Sequence, residues 1–111
     1  MKAIFPVFAA LALCSVSFSH AAGNQESGKA KAAQVCAACH GPEGNKPSAP
    51  DQPVLAGQHY DYLVKALSDY KSGKRTNPIM KAFAGQLSRK DMEDLAAWFA
   101  SQKSTSLHEQ R

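Results

Sequence analysis

The feature that most constrains this chain is CAACH, Cys36-Ala37-Ala38-Cys39-His40, which sets two thiols and an imidazole within five residues. Such a cluster needs company elsewhere. A redox dithiol of this spacing sits in a parallel sheet with crossover helices. A structural zinc site takes four ligands, commonly in two pairs. The rest of the chain supplies neither. No stretch alternates apolar and polar residues over a useful strand length. The other histidines, His20, His59 and His108, belong to no paired motif, and Cys14 is the one further thiol.

Cys14 lies in a segment of different character. Lys2 precedes the apolar run AIFPVFAALALCSVSF, and Ser19-His20-Ala21 places small residues where a signal peptidase reads. This pattern predicts a secretory signal over residues 1–21, cut before Ala22. A membrane span is the competing reading. The run falls short of the ~20 residues a bilayer needs, and Pro6 interrupts it. Leu13 is not the small residue that lipid attachment at Cys14 would want. Cleavage leaves 90 of the 111 residues, and the loss of Lys2 lowers the formal charge from +4 to +3. A chain of that size, 22–111, makes one domain and buries only about 60% or a little more of its unfolded surface. Cysteines two residues apart cannot staple it, so another stabiliser is required.

Asn24 to Gln34 is proline-free and rich in Ala and Lys, which predicts a helix running into CAACH with Asn24 or Ser27 as its cap. Gly28 costs that helix about 1 kcal/mol relative to alanine, which points to close approach of another helix. Gly41 to Pro53 carries four of the six prolines and two glycines, and reads as a loop. From Gln58 to Lys71, Tyr60, Leu63, Val64, Leu67 and Tyr70 recur at helical spacing before the Ser72-Gly73 stop. Gly73 to Asn77 is a polar loop, and Pro78 suits the first turn of a short helix through Phe83. Ser88 and Asp91 form an acidic capping box for a last helix from Arg89 to about Gln102, with Met92, Leu95, Ala96 and Phe99 as its inner stripe. The tail from about Ser104 is polar. The expected fold is all-α, about four helices.

Covalent haem attachment explains the spacing in CAACH. Two thiols on one helical turn match the two vinyl groups, and the adjacent His40 is placed to ligate the iron; C-x-x-C-H is the signature of c-type attachment. One haem c, joined through Cys36 and Cys39, would also give a small chain its missing core. The sixth ligand then decides the chemistry, because an open position binds gases or peroxide whereas two strong ligands make an electron carrier. Met80 and Met92 are the thioether candidates, and His59 is their rival. Met92 falls on the inner stripe of the last helix, where core packing is the plainer role. His59 opens a helix, a capping or surface position. Met80 follows a loop, far from His40 in sequence, and is the expected ligand.

The chain resembles the class I c-type cytochromes of the small bacterial monohaem c-553 type, and is similar to one half of the dihaem cytochrome c4 family. The resemblance spans Gly28 to Gln102. It rests on G-x-A-x(5)-C-A-A-C-H-G from Gly28, P-x-L-A-G-Q at Pro53 to Gln58, and Tyr62-Leu63. G-K-R-x-N-x-x-M at Gly73 to Met80 and L-S-x-x-D-x-x-D-L-A-A-W-F at Leu87 to Phe99 complete it. It implies the cytochrome c fold, with His40 and Met80 as axial ligands. It also implies that the Pro53 carbonyl accepts the other ring N–H of His40, that Leu55 and Gly57 line the haem, and that Gly28 crosses the last helix near Trp98. A single C-x-x-C-H means that this chain alone does not make the two-haem architecture.

The function so implied is periplasmic electron transfer, without enzymatic activity, between respiratory redox partners. Those partners are proteins of the membrane or periplasm, with no nucleic acid among them. The mature chain is expected to have no transmembrane segment and to be a monomer or weak dimer. A soft thioether favours ferrous iron relative to a second histidine. Lys65, Lys71, Lys74, Arg75, Lys81, Arg89 and Lys90 form either a basic rim that steers acidic partners or an ordinary solvated surface. Arg75 and Lys74 are candidate neighbours of a haem propionate. Two other readings stay open: a haem sensor in which a small molecule displaces Met80, and a tethered subunit of a respiratory enzyme.

Overall fold

The computed structural model describes residues 2–6, 9, 10, 12 and 23–104. The expected cleavage point at Ala21–Ala22, Cys14 and the tail beyond Ser104 lie outside the described residues. Among the described residues there are five helices and no strand. They are α1 (Gln25–Val35), α2 (Ala37–His40), α3 (Tyr60–Ser72), α4 (Pro78–Ala84) and α5 (Arg89–Ser101).

The count exceeds the expected four because CAACH breaks from the first helix. Cys36 still donates its N–H to Ala32 O, 2.9 Å, but its backbone opens to φ −107°. The N–H groups of Cys39 and His40 then turn back onto Cys36 O, at 3.3 and 3.0 Å, and make the single turn of α2. Asn24 takes the cap of α1, accepting the Ser27 N–H at 2.9 Å. α3 starts two residues later than the periodicity suggests, since His59 is extended and gives its N–H to the Gln58 side chain. Its end is a left-handed glycine, Gly73 at φ 90°. Asn77 caps α4, whose first residue is Pro78. At α5 the capping box forms in both directions, Ser88 and Asp91 exchanging hydrogen bonds of 3.0 Å.

α1 and α3 both pack on α5. The α1–α5 crossing is tight at Gly28, where a Cβ would fall 2.6 Å from the Asp94 carbonyl carbon and 2.9 Å from Trp98 Cβ. Only hydrogen fits there. Asp94, 5% exposed, accepts the Asn24 N–H and the Lys90 ammonium, each at 2.7 Å, and so ties the start of α1 to α5. Leu63 and Val64 of α3 bury against Met92, Leu95, Ala96 and Phe99 of α5. The proline-rich loop is pinned to the same helix. Trp98 Nε1 donates to Pro42 O and the Gly57 N–H to Phe99 O, both at 2.9 Å, while Gly44 O accepts from Leu55 and Ala56. No helix among the described residues is long and apolar enough to cross a membrane.

Candidate functional site

The pinned loop, α1 to α5 and the CAACH turn enclose a largely apolar cavity. The space open to the centre of a water-sized sphere is about 310 Å3, within the range of cofactor clefts. Val35 and Cys36 enter from the end of α1, and Cys39 and His40 from α2. The loop contributes Pro53 and Leu55, α3 Leu63 and Leu67, α4 Met80, and α5 Leu95 and Phe99.

His40 is 6% exposed, and its Nδ1 lies 2.9 Å from Pro53 O. A carbonyl oxygen can only accept, so Nδ1 donates, and in the neutral imidazole Nε2 then keeps a lone pair for a metal. Cys36 and Cys39 are both free thiols. Burial pushes the Cys36 thiol up to about 11, opposite to the lowered value on which a reactive redox dithiol depends. Among the described residues no group of three or more His, Cys, Asp or Glu side chains converges to hold an ion. Cys36, Cys39 and His40 therefore do not make a zinc site by themselves.

The three rival ligands separate in space. Met80 lines the cavity with His40. Met92 is 2% exposed in the α3–α5 core and is not on the wall. His59 is the exposed cap residue of α3, also away from the wall. Pro53 and Leu55 line the cavity, whereas Gly57 does not. The glycine is accounted for by its backbone: φ is 74°, and a Cβ would fall 2.9 Å from Ser104 Cβ.

Gln52, Tyr62, Tyr70 and Asn77 also line the wall, and the sequence assigned none of them to the site. Tyr62 and Tyr70 are two helical turns apart on α3, a spacing that could have linked them. Arg75 stacks between them in the sense of charge on ring, its guanidinium carbon 5.9 Å from the Tyr62 centroid and 4.9 Å from that of Tyr70. A hydrogen bond to Tyr62 Oη at 3.4 Å raises the Arg75 pKa further, outweighing partial burial. The supposed basic rim is mostly spoken for. Lys65, Arg89 and Lys90 pair with Asp69, Glu93 and Asp94 four residues on, and Lys71 donates to Leu87 O.

A largely apolar wall, two free thiols one turn apart and a buried imidazole with its Nδ1 satisfied fit a haem with two vinyl groups. The fold and cavity thus define an all-helical haem-binding domain. A Cytochrome c family model matches residues 25–103. Cytochrome c4 of Pseudomonas aeruginosa is 52% identical over 93 residues, covering 84% of this chain and 45% of that protein. Cytochrome c-554(548) of Halomonas halodenitrificans is 36% identical over 85 residues, 74% of this chain and 100% of that one. The crystal structure of reduced recombinant cytochrome c4 from Pseudomonas stutzeri is similar with a TM-score of 0.69 at 44% identity, covering 76% of this chain and 48% of its own. The chain belongs to the cytochrome c family, whose cofactor is covalently bound haem c. It spans about half the length of the cytochrome c4 relatives it matches.

Proposed function

We propose that this chain is a periplasmic electron-transfer protein, not an enzyme, passing single electrons between respiratory protein partners. One haem c joined at Cys36 and Cys39 and held by His40 and Met80 would supply the one-electron iron couple. Residues 1–21 serve as the export signal and 22–111 as the single working domain, a monomer or weak dimer. The observation that carries this reading is the sorting of the rivals: Met80 shares the cavity with His40, and Met92 and His59 do not. Pro53 O fixes the ring orientation of His40. Met80 offers a soft sulfur, and Leu55, Leu63, Leu67 and Phe99 exclude water; both favour the lower oxidation state. Were His40 and Met80 both to hold the iron, no position would be left on it for a substrate, which supports a carrier over a catalyst.

The test is Met80→Ala in the haem-loaded protein. The weak far-red band of sulfur-bound ferric iron should vanish. The midpoint potential should fall by more than the roughly 59 mV that a tenfold shift represents for one electron. Met92→Ala serves as the control, keeping the band while losing about 2–5 kcal/mol of stability. A Met80→Ala protein with unchanged band and potential overturns the reading. Ready binding of carbon monoxide to the reduced parent protein at neutral pH would favour a sensor instead.

A further inference from the structure

The amide bond between Ala21 and Ala22, proposed above as the cut that releases the export signal, stands just before a segment that the folded domain holds fast. Gly23 gives its N–H to the Tyr60 hydroxyl on α3 at 3.4 Å. Its backbone lies so close to α5 that an added Cβ would run into the Glu93 carbonyl and the Asp94 backbone nitrogen. Asn24 gives its N–H to Asp94 Oδ1 at 2.7 Å, and its carbonyl takes the Gly28 N–H at 3.0 Å. Gln25 already belongs to α1. Ala22 is thus the one residue between the bond and the seated backbone. With successive Cα atoms about 3.8 Å apart, Ala21 can stand no more than about 8 Å from Gly23.

A processing peptidase takes its substrate as an extended strand and bonds backbone groups on both sides of the bond it cuts. On the downstream side those groups include Gly23 and Asn24, whose N–H donors the fold has already used. We infer that docking of α5 against the start of α1 shuts this processing site, so that the signal is released before α5 docks and a precursor that folds first keeps it. The inference rests on the reading of residues 1–21 as an export signal. Cutting adds water across the Ala21–Ala22 amide, leaving a carboxylate on Ala21 and an amine on Ala22. That chemistry asks nothing of the domain; access does. Gly23 sets the fit, since its missing side chain lets the segment lie on α5, and Tyr60 and Asp94 hold it there. In a folded precursor the bond is reached only through local opening, and the cutting rate follows the population of the open form.

The test follows, by intact mass, the cutting of the full haem-loaded precursor by purified signal peptidase in detergent, the precursor being accumulated in cells whose own peptidase is inhibited. The parent is compared with Gly23→Ala and with a precursor carrying Gly-Ser-Gly-Ser inserted between Ala22 and Gly23, which frees roughly 13 Å of chain. Unfolded peptides spanning residues 1–34 with the same changes are the control, because α1 alone is marginal in water. The folded parent should be cut at least about tenfold more slowly than the inserted precursor, with Gly23→Ala between them. The three peptides should be cut at one rate. Equal rates for the folded parent and the inserted precursor overturn the inference and leave the export signal standing. A difference of the same size among the peptides overturns it as well, since the cause would then be the sequence around the bond. A folded Gly23→Ala precursor cut no faster than the parent overturns the role of Gly23. Failure of the peptidase to cut any peptide or the inserted precursor between Ala21 and Ala22 sinks the signal reading itself, and the inference with it.

Discussion

At Gly28 a single hydrogen atom decides how closely two helices meet. Alanine is the better helix former by about 1 kcal/mol, yet its methyl would press on the Asp94 carbonyl and on Trp98 Cβ. Backbone cannot swing aside as a long side chain can. Gly28→Ala should therefore cost a net ~1–3 kcal/mol in denaturant unfolding of the haem-loaded protein, the reverse of what helix propensity alone would give. The close approach at Gly28 was legible, because glycine inside a helical run needs a reason. Gly57 was not, since its positive φ and its contact with Ser104 arise from how a loop docks on the end of α5. The cap at Asn77 was equally silent: its residue reads as part of a polar loop, and only the fold shows its Oδ1 accepting the Ile79 and Met80 N–H groups.

Between elements, Asp94 carries the most. Burial alone would raise its pKa, but the Lys90 ammonium and the Asn24 N–H outweigh that and hold it below the ordinary carboxylate range. The folded value thus lies below the unfolded ~3.9. The stabilisation is present above that pH and is lost as pH falls through the folded value. Asp94→Asn keeps an acceptor for Asn24 but drops the charge. It should cost about 1 kcal/mol near neutrality and flatten the acid limb of a stability–pH curve taken by thermal melting. Most helix ends were readable, since Ser88 with Asp91, Pro78 and Gly73 each carry a local signal. The break at Cys36 has no such signal. Alanine-rich CAACH favours a continuous helix, and the departure of the chain after Val35 is set by the docking of the loop that follows.

For the molecule as a whole, the protein core is thin. The α1–α3–α5 contacts bury a modest set of residues, and much further apolar surface lines the cavity. A haem held in the cavity would add to that core. Cys36→Ala combined with Cys39→Ala should lose covalent cofactor, and far-UV dichroism should then show reduced helix content and a broad melt in place of a cooperative one. The proposed attachment point stands out in the sequence because covalent chemistry demands local spacing. The cavity was not, because its wall is collected from distant stretches of chain and no single stretch shows its concave side.

The pairing of α1 with α5 also dictates a timetable. The ribosome delivers α1 near the start of the domain and α5 at its end, and an eleven-residue helix alone is marginal in water. Until α5 is in place, the helix that leads into Cys36–His40 therefore lacks the partner that holds it. Closure of the domain by its final helix is thus the step that fixes the geometry of this turn.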